Sequence, residues 1–377
     1  MQTRRDIGLI VNPCAGPGGP AGVRGTDSPE QQAAARELGI ASRAVARSRR
    51  ALQALLPMTR HLRISTGPGA MGQESLAENF PDAQLCSGPE TSVQSAAATR
   101  HCVKQMLGRG IELLLFAGGD GTARDILAVA GDRLPIIGIP CGATMQSGVF
   151  AATPEVAGLL ALAFLRGECR AVREQDVLGR GGLAPGATRI EPIAYGRLRV
   201  PYDRDLVPGP KVSVSADPLQ LKQVIGAALA LMDADTCILF GPGSTKMAVL
   251  ARLGLAGTLV GVDVILRGKL IAADASEPQL ARLLQHHDKA RIIISPLGGQ
   301  GFLFGRGNQP LSERVIRSVG VENISVISVP AKLQALGGRP LRIDLDDADL
   351  LRHFPLNVRI ITGPGVSVLH PLTPPIL

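Results

Sequence analysis

Short apolar runs alternate with helix-length segments through the first 150 residues, and this alternation constrains the fold more than any other feature. Residues 7–11, 111–116 and 134–139 are strongly apolar and of strand length, and Gly or Pro follows each of them closely. Segments with helical periodicity lie between these runs. The repeated order of strand, helix and strand predicts an open parallel sheet with helices on both faces.

One long amphipathic pattern lies between the first two strands. Over residues 30–56, Leu38 and Leu52 recur at helical spacing on one face, while Arg43 and Arg47 fall on the opposite face. We expect a single helix here. Its arginine face is expected to be solvated and to carry no function, since such stripes are usually surface charge.

The sequence changes character after a predicted helix near residues 154–167. Residues 170–202 are rich in Gly, Pro and short β-type stretches, with little helical periodicity. We predict two domains, an α/β domain over residues 1–166 and a β-rich α+β domain over residues 167–377. The second is expected to contain a helix near residues 219–232 and strands near 237–240, 291–295, 324–329 and 358–362, and its last segment could pack back on the first domain.

The charge balance favours a phosphate-bearing small ligand. Lys and Arg total 40 against 32 Asp and Glu, which gives a net charge of +8. That charge is dilute over 377 residues, and only eight Phe and two Tyr could stack on bases. Nucleic acid is therefore not expected as a partner.

The cysteines and apolar segments indicate a cytoplasmic protein. The six cysteines are scattered, with no CxxC pair, so we expect reduced thiols rather than a zinc site or a disulfide framework. No apolar stretch approaches the ~20 residues that span a bilayer. The run at residues 7–11 is too short for the core of a signal peptide, so neither membrane insertion nor export is predicted.

The most specific local motif is GGDGT at residues 118–122, directly after a predicted central strand. Glycines there let the backbone approach phosphate oxygens, and a following helix adds a partial positive charge. Asp120 is unusual in such a loop, because a carboxylate beside phosphates is unfavourable unless it holds Mg²⁺ or accepts a proton. The alternative is a tight glycine turn in which Asp120 caps the helix.

Three further glycine-rich loops each follow an apolar run, at residues 12–19, 241–245 and 298–309. Four such loops are difficult to explain as turns alone. In the last one, Arg306 is the cation best placed to meet a phosphate, and a salt bridge across the loop is the alternative.

In this combination and order, the motifs resemble the NAD kinase superfamily. The similarity is greatest to its long branch of predicted ATP- or polyphosphate-dependent NAD kinases, which includes an accessory protein of acetoin-degradation gene clusters. The matching stretches are residues 8–19, 25–27, 115–125, 138–154, 241–245, 261–263 and 298–309.

The resemblance implies a site and a reaction. A phosphoryl group would pass from ATP or polyphosphate to the 2′-hydroxyl of NAD, with Asp120 accepting or orienting the hydroxyl proton and Mg²⁺ neutralising the donor phosphates. Relatives form dimers or tetramers, so a homo-oligomer is expected. The implied cofactor-binding residues are Asn12, Gly16, Gly18, Gly19, Gly118, Gly119, Gly121, Thr122, Gly243, Ser244, Thr245, Gly299, Gln300, Arg306 and Asn308. Asp27, Asp125, Asp263 and Asp274 are candidate metal ligands, each with surface charge or helix capping as the alternative.

Four departures from the family pattern leave two other functions open, and one of them is that the asparagine-acid motif with which NAD kinases hold the nicotinamide ribose is not recognisable. Thr144 stands where the branch usually has lysine, Ser28 replaces a glycine, and Lys246 and Met247 replace a tyrosine that usually follows the GST sequence. Loss of the lysine removes a cation from a loop that faces phosphates. One alternative is a nucleotide-binding accessory or sensor protein without turnover. The other is a lipid kinase of the diacylglycerol kinase type, which shares the GGDGT loop.

Overall fold

The computed structural model describes residues 4–23, 29–76, 79–87, 96–179, 192–203 and 217–373. In its first half the helices and strands are β1 (Arg5–Val11), α1 (Pro29–Glu37), α2 (Ala44–Gln53), β2 (Leu62–Thr66), α3 (Gln73–Leu76), β3 (Gln84–Leu85), α4 (Ala96–Gly108), β4 (Leu113–Gly118), α5 (Asp120–Ala130), β5 (Ile136–Pro140), α6 (Pro154–Leu165), β6 (Val172–Gly179) and β7 (Ile193–Pro201).

The second half adds the remaining elements. These are α7 (Pro218–Ala230), β8 (Cys237–Phe240), α8 (Ser244–Arg252), β9 (Asp263–Leu266), β10 (Lys269–Ala272), α9 (Glu277–Leu284), β11 (Ala290–Ile294), β12 (Phe302–Phe304), α10 (Glu313–Val319), β13 (Ile324–Ile327), α11 (Pro330–Gln334), β14 (Leu341–Ile343), α12 (Ala348–Arg352), β15 (Asn357–Gly363) and β16 (Val366–Thr373).

The first sheet is parallel throughout, in the order β3-β2-β1-β4-β5. Its central strand β4 is buried on both faces, as its apolar sequence predicts. Leu113 and Leu115 pack in one buried cluster with residues of α2 and α6. Leu114 and Phe116 pack in another with residues of α4 and α5. The predicted open parallel sheet with helices on both faces is confirmed.

The second sheet is mixed and has nine strands, in the order β10-β9-β8-β11-β13-β15-β16-β14-β12. Strands β8, β11, β13 and β15 run parallel, while β9 and β16 are antiparallel to their neighbours β8 and β15. The β-rich second region is therefore confirmed. β15 and β16, the last described strands, pair within this sheet, and a return of the last segment to the first domain remains a hypothesis.

A two-stranded hairpin, β6–β7, lies between the two sheets in the chain. Val177, Leu198 and Val200 of the hairpin belong to the buried cluster that includes Phe116 and Ile126. The hairpin thus packs on the first sheet and its helix α5, although it follows residue 166. The division at residues 166 and 167 stays a proposal.

The single helix predicted over residues 30–56 is wrong, because two helices form there. Helix α1 ends at Glu37 and is followed by Gly39 at φ +71°, a conformation that terminates helices. Helix α2 begins at Ala44, whose backbone N–H is accepted by the Ser42 hydroxyl. The expected solvated arginine face is wrong at Arg47, which is 6% exposed and ion-paired with the second region, whereas Arg43 is exposed.

Within the described ranges, no helix is long and apolar enough to cross a membrane. None of the six cysteines forms a disulfide, in agreement with the reduced thiols expected from their spacing.

Candidate active site

Three loops meet at the carboxyl ends of β1, β4 and β5, the edge at which open parallel sheets bind ligands. The Asn12 side-chain amide donates to the Thr122 hydroxyl at 3.0 Å and so joins the first loop to GGDGT. The backbone N–H of Asp120 donates to the Thr144 carbonyl oxygen at 3.0 Å. A Cβ on Gly119 would lie 3.0 Å from the Cα of Gly142, so only glycine allows this crossing.

The loop at residues 12–19 is held between the first sheet and the second region. Gly16 adopts φ +103°, and a Cβ there would lie 2.6 Å from the Cys141 carbonyl oxygen. A Cβ on Gly19 would lie 2.9 Å from the side chain of Gln309 in the second region. Gly18 is buried in the same loop. Close approach of neighbouring atoms accounts for glycine at positions 16 and 19.

Asp120 is buried, and its carboxylate is held by the loop that follows β5. Oδ1 accepts hydrogen bonds from the Ser147 hydroxyl at 2.6 Å and the Ser147 N–H at 3.0 Å, and Oδ2 accepts from the Gln146 N–H at 2.8 Å. Burial raises the pKa of Asp120 above its ordinary value, although these hydrogen bonds and the charge of Arg306 oppose the rise. The N-cap of α5 is Gly119, so Asp120 does not cap the helix with its side chain.

The fourth glycine-rich loop, at residues 298–309, forms hydrogen bonds between the second region and the first. Arg306 donates to the carbonyl oxygens of Ala151 and Ala152, and its guanidinium lies 4.1 Å from the centre of the Phe302 ring. It also lies 3.6 Å from Asp344, which follows β14, so its salt bridge leads out of the loop rather than across it. Burial lowers the pKa of Arg306 to about 10. Contact of this residue with a phosphate stays a prediction.

Other predicted residues of this loop are also engaged with protein atoms. The Asn308 amide donates to the Leu303 carbonyl oxygen at 2.6 Å, and Gln300 is buried. Gln309, which was not predicted, donates to the Gly142 and Ala143 carbonyl oxygens. The loop therefore touches the segment that holds Asp120.

A cavity of about 60 Å³ lies where the two regions meet. Gly16, Gly142 and Met145 line it from the first region, and Gly305 and Gln309 line it from the second. Two of the four glycine-rich loops, at residues 12–19 and 298–309, therefore meet at this cavity together with the loop that follows β5.

The charged contacts across this junction were missed by sequence reasoning. Arg47 of α2 pairs with Asp344 at 2.5 Å and with Asp346 at 2.9 Å, and it donates to the carbonyl oxygen of Pro140. Burial would raise the pKa of Asp346, but Arg47, Arg50 and Arg43 bring it down to about 2. The available signal was charge complementarity between the three aspartates within residues 344–347 and the arginine-rich segment of α2.

The GST sequence forms a second polar group, at the carboxyl ends of β8 and β11. Gly243 adopts φ +131° and precedes α8, which begins at Ser244. The Lys332 ammonium lies 3.3 Å from the Thr245 hydroxyl and 3.1 Å from the Ser295 hydroxyl. This arrangement places a cation and hydroxyls at the edge of the second sheet that ligands would approach.

The candidate metal ligands are mostly committed elsewhere. Asp125 pairs with Arg100 at 2.6 Å, and the buried Asp263 pairs with Lys246 at 2.6 Å and accepts the Asp274 N–H. Asp27 lies outside the described residues. In the part of the chain that the structure describes, no three His, Cys, Asp or Glu residues are grouped as a metal site would need. Among the described residues, the candidate carboxylates are therefore not arranged as a magnesium site built from protein groups alone.

The fold and the converging loops define a nucleotide-binding protein of the α/β class, and comparison with family models is more specific. The model of the ATP-NAD kinase N-terminal domain matches residues 7–169, and that of the ATP-NAD kinase C-terminal domain matches residues 233–370. The two matches cover most of the chain. The chain belongs to the NAD kinase superfamily, as its motifs indicate, and this family consists of kinase-type phosphotransferases.

Other comparisons add little. No curated protein matches the chain. A solved "conserved domain protein" from Vibrio cholerae is 11% identical, with 96% of this chain and 79% of that chain covered and a TM-score of 0.26. An "ABC domain in complex with L-Trp" from Streptococcus pneumoniae is 10% identical, with 95% and 79% covered and the same TM-score of 0.26. TM-scores this low do not establish a shared fold.

Proposed function

We propose that the protein transfers a phosphoryl group from ATP or inorganic polyphosphate to the 2′-hydroxyl of NAD, giving NADP. The observation that carries this proposal is a buried carboxylate, Asp120, at the point where the loops after β1, β4 and β5 converge. It lies at the carboxyl ends of parallel strands, in a chain of the NAD kinase superfamily. A carboxylate among phosphate-type loops suits proton transfer from an attacking hydroxyl.

In the proposed reaction, Asp120 orients the ribose hydroxyl and accepts its proton as the ribose oxygen forms a bond to the terminal phosphorus of the donor. The bond from that phosphorus to the bridging oxygen breaks, and ADP or a shortened polyphosphate leaves. The backbone N–H groups of Gly121 and Thr122 in the first turn of α5, and those of Gly16 and Gly18, would face the donor phosphates. Bound Mg²⁺ would neutralise charge on those phosphates. The raised pKa of Asp120 brings this base closer to neutral pH.

A nucleotide-binding sensor without turnover is the second candidate, and the engagement of the site by protein atoms favours it. Arg306 and the carboxylate of Asp120 are both held by neighbouring loops, and the position usually occupied by lysine contributes a carbonyl oxygen from Thr144. A sensor would show a higher melting temperature with NAD or ATP and form no NADP.

The proposal is tested by the rate of NADP formation from NAD and either donor, in the wild type and in Asp120→Asn. We expect the variant to keep nucleotide binding, measured calorimetrically, and to lose about a hundredfold or more in rate. Asp132→Asn is the matched control, since Asp132 is exposed just beyond the opposite end of α5. An unchanged rate in Asp120→Asn would remove this residue from the mechanism. Cytoplasmic location and homo-oligomeric assembly also remain predictions.

A further inference from the structure

Ser147 lies between Asp120 and the hairpin β6–β7. The serine is 1% exposed, and its hydroxyl lies 2.6 Å from Oδ1 of Asp120. The backbone N–H of Leu178, on β6, donates to the same hydroxyl oxygen at 2.9 Å. Because a hydroxyl has one hydrogen to donate, that hydrogen goes to the carboxylate rather than to the Leu178 carbonyl oxygen at 3.3 Å.

The hydrogen bonds to Asp120 are unevenly divided between its two oxygens. Oδ1 accepts both the hydroxyl and the N–H of Ser147, and the Gln146 N–H also lies 3.1 Å from it, so its two lone-pair positions are taken. Among the described residues, Oδ2 accepts only the Gln146 N–H, at 2.8 Å and shared with Oδ1, which leaves one lone pair for a substrate hydroxyl. Oδ1 is therefore the anchored oxygen of the carboxylate, and Oδ2 is the reactive one.

The hairpin fixes the position of the serine in turn. The strand register shifts between Val177 and Leu178, and such irregularities redirect backbone groups away from the ladder. The Gly148 N–H donates to the Asp176 carbonyl oxygen at 3.1 Å, which adds a second link between the loop and β6. Val177 is fully buried against the first region. The hairpin is thus a rigid support for Ser147.

We propose that Ser147 is a positioning residue, which anchors Oδ1 of Asp120 and presents Oδ2 to the acceptor hydroxyl, with the hairpin β6–β7 as its support. This assignment rests on the proposed function. It makes the hairpin, which lies outside both matched family domains, part of the catalytic arrangement.

Removal of the hydroxyl has an effect on ionisation as well as on orientation. The Ser147 and Gln146 hydrogen bonds stabilise the carboxylate, and Arg306 is the charged group that acts on it in the same direction. Loss of one of these hydrogen bonds raises the pKa of Asp120 further. The acid limb of the rate profile is then displaced toward higher pH.

Ser147→Ala, Ser147→Thr and the control Ser48→Ala test the assignment. Ser48 is also fully buried, but its hydroxyl donates to the Ala44 carbonyl oxygen within α2. We expect Ser147→Ala to lower kcat about tenfold, with KM values within about twofold and the acid limb displaced to higher pH. The threonine variant should restore kcat, and Ser48→Ala should match the wild type. A loss of kcat in Ser147→Ala without a shift of the acid limb of the pH–rate profile would overturn the assignment.

A measurement that needs no turnover separates this proposal from the proposed function. The side-chain carboxyl carbon of Asp120 can be titrated by ¹³C NMR in aspartate-labelled protein, with its signal assigned from Asp120→Asn. The assignment predicts a higher midpoint in Ser147→Ala than in the wild type, and equal midpoints would overturn it. Failure of the wild type to form NADP would instead overturn the proposed function.

Discussion

Replacement of Arg47 by methionine should weaken the contact between the first and second regions and lower the free energy of unfolding. Methionine keeps the apolar volume of the side chain but removes the guanidinium, whose side chain is 7% exposed and faces Asp344, at 1%, and Asp346, at 25%. Loss of one partner from a buried ion pair leaves an uncompensated charge and typically costs about 3–5 kcal/mol. Asp344 keeps Arg306, and Asp346 keeps Arg50, so we expect the lower end, about 3 kcal/mol.

The assay is urea unfolding of the wild type and Arg47→Met, with Arg197→Met as the matched control. Arg197 also pairs with two carboxylates, Glu174 and Asp176, but all three side chains are largely exposed. The control should therefore show no resolvable change in the free energy of unfolding. If Arg47→Met proves as stable as Arg197→Met, the buried arginine does not hold the junction together. A double-mutant cycle with Asp346→Asn would measure the coupling of this pair directly.

Three further predictions concern charge and backbone geometry. The pKa of Asp346 is about 2 in the folded protein and lies below its ordinary value of 3.8. Ionised Asp346 therefore adds about 2 kcal/mol to the free energy of unfolding above about pH 4, and this stabilisation is lost as the pH falls toward 2. Urea unfolding at several pH values should show this loss in the wild type and not in Asp346→Asn. Gly16 has φ +103° and faces a backbone carbonyl oxygen, so Gly16→Ala should lower the free energy of unfolding by about 1–3 kcal/mol. Gly108 has open space around it, so Gly108→Ala should be as stable as the wild type. Equal melting temperatures for the two variants would contradict this expectation. Lys246→Met should lower the free energy of unfolding, measured by thermal melting, by about 3–5 kcal/mol, because the buried Asp263 would lose its charged partner. A loss below about 1 kcal/mol would show that this ion pair does not stabilise the fold.

The first sheet was predictable because its signal is local. The apolar run at β4 and the glycines after it indicate a buried strand that ends in a ligand-type loop, and the structure has both. The convergence of the loops at residues 12–19 and 118–122 also follows from topology, since adjacent parallel strands end at the same edge. The hydrogen bond between Asn12 and Thr122 is the direct result.

The contacts of α2 could not be predicted in the same way. Periodicity shows that Arg43 and Arg47 share a helix face, but it does not say what covers that face. The partners Asp344 and Asp346 lie almost 300 residues away in sequence, in the segment after β14. The role of Ser147 was missed for a similar reason, because its hydroxyl links two segments whose proximity is set by the packing of the hairpin.

The most direct test of the proposed function follows the phosphorus atom itself. Purified protein is incubated with Mg²⁺, NAD and ATP labelled at the γ-phosphate, or with labelled polyphosphate, and the products are separated by chromatography. The account predicts that label reaches NADP in the wild type and in Asp132→Asn, and that little reaches it in Asp120→Asn. Absence of labelled NADP from the wild type with either donor, while NAD and ATP both bind, would contradict it.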